Sequence, residues 1–182
     1  MIVVACIVLG LVSSQMPPPS WITPNWVERG SHTAKVTTQD EVFYGFVGVG
    51  VATKITNKDR LKAAAEQRAR SELSKLLEAY TAALANDYFQ VERTQAPSLE
   101  QLAKIVADKA VISEVYVDGE THALYVRADL QLDVFVQAVA ASELSANYKV
   151  FIKQNAKRVH DASIKREARP VVPSIPDNFA SL

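Results

Sequence analysis

Three glycines interrupt an otherwise apolar, β-branched run, Tyr44-Gly45-Phe46-Val47-Gly48-Val49-Gly50-Val51-Ala52-Thr53, and an alanine-rich charged segment follows from Asn57. Strand alternation places Phe43, Val47, Val49 and Val51 on one face and Tyr44, Phe46, Gly48, Gly50 and Ala52 on the other. Apolar residues on both faces predict a strand that is central or covered on both sides. The flat Gly48/Gly50/Ala52 face predicts close approach of another backbone. A phosphate-binding loop is the competing reading. Its spacing would be G-x-G-x-x-G, whereas the glycines here read G-x-x-G-x-G and lie inside the strand. The turn from Thr53 to Asn57 has no glycine, and Gly-Lys-Ser/Thr is missing, which argues against nucleotide binding.

The segment after the strand predicts a long helix over Lys58–Tyr88. Asn57 is a good N-cap, and Asp59 sits where the helix dipole favours negative charge. Leu61, Ala65, Ala69, Leu73, Leu76, Leu77, Tyr80 and Leu84 form one stripe at helical spacing, and Glu66 and Arg70 form a pair four apart. Ala96-Pro97-Ser98 breaks the chain, and Ser98-Leu99-Glu100-Gln101 has the form of a capping box opening a short helix to Ala107. Asp118-Gly119 between Ala110–Val117 and Thr121–Leu130 predicts a two-residue type I′ hairpin. That turn would set Val115 opposite His122, Ser113 opposite Leu124 and Val111 opposite Val126, with Val111, Val115, Leu124 and Val126 facing the long helix.

From Leu132 the helical period returns through Phe135, Val139, Tyr148, Phe151 and Ile152, then more weakly through Val159 and Ile164 to Arg169-Pro170. The polar second half of this single helix is expected to project from the domain. The fold class expected is α+β: a three-stranded antiparallel sheet in β-α-β-β order, packed on a long helix, with a further long C-terminal helix. The segments expected are a signal-peptide-like stretch (1–14), a Pro/Trp-containing linker (15–40), the core domain (41–145), a basic helical extension (146–169) and a proline-spaced tail (170–182).

Formal net charge is zero, which argues against nucleic acid as a partner, since a polyanion needs a basic face. The local excess of Lys149, Lys153, Lys157, Arg158, Lys165, Arg166 and Arg169 reads as a solvated helix face. His32, His122 and His160 share no metal-ligand spacing, and there is no G-x-S-x-G. No catalytic, cofactor-binding or metal-binding residue is therefore assigned, and no cofactor is expected. Cys6 is the only cysteine, so no intrachain disulfide supports the fold.

The apolar stretch Ile2–Val12 is shorter than the roughly 20 residues needed to span a bilayer and suits the core of a signal peptide. Three readings stay open: cleavage after Ser14, acylation at Cys6 within Val3-Val4-Ala5-Cys6, or an uncleaved anchor. The expected location is the periplasm or the periplasmic face of the outer membrane, with any membrane association through the N-terminus.

Trp26-Val27, a polar gap, Tyr44-Gly45, Gly48-Val49-Gly50, and then a helix carrying Arg68-Ala69-Arg70 and Glu72-Leu73 form a connected pattern. Over roughly Pro24 to Leu130 the chain resembles the bacterial LPP-twenty outer-membrane lipoprotein family, whose members include a flagellar basal-disc lipoprotein. The resemblance implies a small β-α-β-β domain in the cell envelope and a non-enzymatic structural or assembly role, sometimes in rings around flagellar machinery. The family's lipidated cysteine has no clear counterpart here, and its pattern does not account for the C-terminal helix and tail.

Two functions follow as expectations. One is a subunit of an envelope assembly that contacts further copies of itself and other envelope proteins, with Trp21, Trp26, Phe151 and Phe179 as candidate contact residues. Each of these has local packing as an equal alternative. The other is a periplasmic binding module holding a small apolar ligand or peptide between helix and sheet, closed by Tyr116 and Tyr125.

Overall fold

The computed structural model describes residues 23–37 and 42–168. Its elements are α1 (Asn25–Arg29), β1 (His32–Thr37), β2 (Val42–Ala52), α2 (Lys58–Glu92), α3 (Glu100–Ala107), β3 (Val111–Val117), β4 (Leu124–Gln131), α4 (Leu132–Ala141) and α5 (Ala146–Glu167). The fold is α+β, as expected, but the antiparallel sheet has four strands in the order β1-β2-β4-β3, not three. The added strand is β1. His32-Thr33-Ala34-Lys35-Val36-Thr37 lies inside the segment expected to be linker, and its single large aliphatic gives almost no hydrophobic alternation to read. Its strand state comes from pairing with β2, where Ala34 lies opposite Gly45 and Lys35 opposite Tyr44.

β2 is central, between β1 and β4, and its alternation is as the residues predict. Phe46, Gly48, Gly50 and Ala52 lie opposite Leu130, Ala128, Val126 and Leu124 of β4, and this shared face meets α2. α2 lies so close that side chains at the two glycines would collide with its backbone. A Cβ on Gly50 would stand 2.0 Å from the Ala65 carbonyl oxygen and 2.3 Å from the Ala69 nitrogen. A Cβ on Gly48 would stand 2.3 Å from the Ala69 oxygen. Ala65 and Ala69 are fully buried, so the contact is made by small residues on both sides.

α2 starts as predicted: Asn57 Oδ1 accepts a hydrogen bond from the Arg60 N–H at 2.9 Å. It ends at Arg93, which takes a left-handed conformation (φ 55°) and donates its N–H to the Phe89 carbonyl. Leu73 and Leu77 continue the buried row beyond the alanines. Tyr80, Leu84 and Tyr88 carry it into the helical end of the molecule, against α4 and α5.

The β3–β4 hairpin differs from the sequence expectation. Val115 pairs with Val126, Tyr116 with Tyr125 and Val117 with Leu124, so Asp118 to Ala123 form a longer loop rather than a two-residue turn. Gly119 has no positive φ; the left-handed residue is His122 (φ 56°). The Asp118 carboxylate organises the loop by accepting the Glu120 and Thr121 N–H groups, which hold its carboxyl below the usual range. A bulge between Ile112 and Glu114 then turns Val111 to the face away from α2, opposite Asp129. Leu124 and Val126 meet the helix as expected, whereas Val115 shares their face but stays exposed at the edge.

The single C-terminal helix is instead two. Ser142 to Ser145 separate α4 from α5, and Ser145 Oγ caps α5 by accepting the Tyr148 N–H at 3.4 Å. The second half of α5 does not project, because Ala156, Val159 and His160 are buried against the domain.

Gly50→Ala is expected to lower stability by about 3 kcal/mol, the upper end for forcing a methyl group into a packed interior, since the obstruction is backbone that cannot rotate away. Gly48→Ala follows at about 2 kcal/mol: its nearest obstruction is again backbone, the Ala69 carbonyl oxygen, but at 2.3 Å rather than 2.0 Å, and the next is the side-chain Cγ of Leu73 at 2.6 Å. Urea unfolding of the two variants against wild type measures both effects.

Candidate functional site

The features with the most structure to explain gather where α5 crosses the β1–β2 side of the sheet. Tyr148, Ile152, Ala156 and His160 form a four-residue row on α5, and all four are buried. Tyr148 packs on Tyr88, with ring centroids 4.7 Å apart, and burial pushes its phenol up to about 12. Phe151 sits beside the same Tyr88 ring at 5.1 Å. Tyr80 donates its hydroxyl to the Ala156 carbonyl at 2.8 Å, while its ring lies edge-on to Phe46 and Phe135.

His160 completes the row and is fully buried. Its Nε2 is 2.8 Å from the Gly45 carbonyl oxygen. A carbonyl can only accept, so Nε2 carries the proton and donates. Nδ1 is buried without a hydrogen-bond partner. The imidazole is held edge-on by Tyr44, Phe46 and Tyr80, with ring centroids 5.3, 5.1 and 6.2 Å away. Burial moves its pKa below the ordinary histidine value, against the opposing bond to Gly45.

Beyond His160, α5 fastens onto the edge strand. Glu167 accepts the Thr33 backbone N–H at 2.9 Å and also the Thr33 hydroxyl. Asp161 pairs with Lys35 at 2.9 Å. The Tyr44 ring lies under two cations, Lys35 Nζ at 4.9 Å and Lys157 Nζ at 5.5 Å. A carboxylate on an edge-strand N–H occupies a group that another strand would otherwise use for pairing.

A cavity of about 420 Å³ adjoins this edge, lined by the apolar Trp26, Val36 and Val47 and by the polar Arg29, His32 and Arg127. Arg127 is held in place by Asp129 at 2.9 Å and Glu114 at 2.7 Å. Burial lowers the His32 pKa, while its Nδ1 lies 2.7 Å from the Gly30 oxygen.

Of the expected contact residues, Trp26 is 8% exposed, with its indole Nε1 buried and unpartnered. Phe151 is also 8% exposed. In the single chain both are covered by their own domain, at opposite ends of the α5 region. Trp21, Phe179 and the candidate lipidation residue Cys6 lie outside the described residues. Tyr116 and Tyr125 do come together, ring centroids 6.1 Å apart, but on the sheet face turned away from α2. Reading the sequence missed Thr33, His160 and Glu167. The signal for His160 was present, four residues beyond Ala156 on the Tyr148/Ile152 row. Nothing local marks Thr33 or Glu167, whose partnership spans most of the chain.

Among the described residues no cluster of three or more His, Cys, Asp or Glu is placed to hold a metal ion. No described helix is long and apolar enough to cross a membrane. No protein-family model matches the chain, and no curated protein matches its sequence.

Glu167→Ala is expected to cost about 1 kcal/mol, the modest value of a partly exposed charge-assisted hydrogen-bond pair. The loss should be accompanied by faster amide exchange at Thr33, read by NMR, with the β2–β4 amides unchanged.

Proposed function

We propose that the protein is a non-enzymatic, exported cell-envelope protein that acts as a structural subunit, contacting further copies of itself and other envelope proteins. A flagellar-associated ring or disc is the assembly that the sequence resemblance favours. The observation that carries the reading is the contrast between the two sheet faces. The α2 face is closed by backbone-close packing, while the opposite face leaves Val36, Phe43, Val51 and Val111 exposed, with Val111 at 68%. Exposed β-branched and aromatic residues on a sheet are the ordinary material of a protein–protein contact. The N-terminal apolar stretch supports export and gives a route to membrane association.

The alternative is a periplasmic binding module for a small apolar ligand or peptide. It draws on the cavity beside Trp26, whose volume lies in the range of ligand sites. That cavity is on the β1 side of the sheet. Where α2 crosses Gly48 and Gly50 there is no room for a ligand between helix and sheet.

Light scattering coupled to size-exclusion chromatography of the exported protein should give a mass of several chains, the full 182-residue chain being 20.0 kDa before any cleavage. Phe43→Asp should shift that mass toward the monomer without changing the circular dichroism spectrum. A stable monomer at micromolar concentration, together with no envelope protein recovered by cross-linking in cells, overturns the proposal.

A further inference from the structure

α5 is held to the sheet by a buried group that can change charge. His160 has no exposed surface, a donor at Nε2 satisfied by Gly45, and an Nδ1 lone pair with no partner. Protonation would place a second N–H at Nδ1, inside a ring of Tyr44, Phe46 and Tyr80, where no acceptor waits. A buried donor without an acceptor, carrying charge, destabilises whatever holds it there. What holds it there is the docking of α5 on β2 and α2. The docked α5 in turn keeps Glu167 on the Thr33 N–H and Asp161 on Lys35.

The surrounding charges do not remove the penalty. On α5 itself Asp161 and Glu167 favour the protonated imidazole, but both are engaged with β1. Lys157, one turn before His160, lies over the Tyr44 ring. From β1, Lys35 opposes protonation. β2 offers the phenol of Tyr44, and α2 the phenol of Tyr80, whose hydroxyl is already donated to Ala156. Desolvation is the largest influence and it disfavours the cation.

We propose that His160 is a protonation-sensitive latch: the neutral imidazole locks α5 onto β2 and α2, and its protonation releases α5 and uncovers the β1 edge. The sign follows from linkage. The undocked imidazole takes up its proton at the ordinary value of 6.5, whereas the docked one does so only at lower pH. Stabilisation by the latch is therefore complete above 6.5 and is lost as pH falls from there through the docked value. Over that interval the opening equilibrium rises by up to about tenfold per pH unit. Carboxylates ordinarily keep their charge down to about pH 4, so the Glu167 and Asp161 contacts follow the latch in this range rather than cause its release.

The test is hydrogen–deuterium exchange of the full protein at about pH 7.5 and about pH 5, corrected for intrinsic exchange rates. In the wild type, amides of α5 and the Thr33 amide should lose protection on acidification, by up to about tenfold per pH unit below 6.5, while β2 and β4 keep theirs. His160→Gln retains a donor for Gly45 but cannot gain charge in this range, so its α5 protection should be the same at both pH values. His32→Gln removes the other imidazole whose proton uptake is opposed by burial, and it should leave the acid response of the α5 amides as in wild type, which separates the two histidines on this side of the sheet. NMR of the wild-type imidazole gives an independent reading: His160 should be the Nε2–H tautomer, with its titration coinciding with the loss of α5 protection. Unchanged protection in the wild type, an equal acid response in His160→Gln, or abolition of the response by His32→Gln overturns the proposal. So does an imidazole that titrates at its ordinary value while α5 stays protected.

Discussion

α2 can lie flush on the sheet because two positions of β2 have no side chain. At Gly48 and Gly50 the helix backbone occupies the space that a methyl group would fill. The approach brings Ala65 and Ala69 into the interior and sets the depth at which Leu73 and Leu77 enter the same core. Close contact of this kind gains dispersion energy from many atoms at once and tolerates little change in volume. The register of β4 on β2 then follows, because Ala128 and Val126, opposite the glycines, also lie under the helix. A larger residue at Ala128 would lift the same helix from the neighbouring strand.

Legibility from the sequence tracked the range of the interaction involved. The β2 alternation, the purpose of its glycines, the Asn57 cap and the α2 stripe were readable because each is written into a short window with a known period. The β1 strand was not, since His32-Thr33-Ala34-Lys35-Val36-Thr37 becomes a strand only through its partner, and Lys35 is occupied by Asp161, far along the chain. The hairpin failed for a different reason. Asp118-Gly119 carries the composition of a tight turn, but the Asp118 carboxylate found two loop N–H groups and stabilised a longer connection. The bulge at Ile112/Glu114 altered the facing of residues before it, which no alternation rule anticipates. Charge along the second half of α5 suggested a solvated extension, yet one stripe of that helix is apolar enough to bury, with Val159 and His160 in it. The proposed contact surface was legible only as composition, in the apolar residues on both faces of β2.

The α5 region joins three kinds of interaction that respond differently to solution conditions. The Tyr88, Tyr148 and Phe151 rings make apolar contacts insensitive to salt and pH near neutrality. The Lys35–Asp161 pair and Arg158–Asp87 at 2.6 Å are partly exposed and contribute little in salt. Between them sits one imidazole whose charge state decides whether the second half of the helix has a stable seat. The first half of α5 is thus fastened by bulk and the second by chemistry.

α2 runs without interruption for 35 residues, a rod of roughly 50 Å. Its first turns are the ones that touch the glycines, and its last turns carry Tyr80, Leu84 and Tyr88 into the aromatic cluster beneath α4 and α5. The sheet and the helical end are thereby threaded on one continuous beam, with no hinge of their own between them. A mechanical load applied at either end would be borne along the helix axis, where backbone hydrogen bonds are shared over many turns, before it reached the strand pairing.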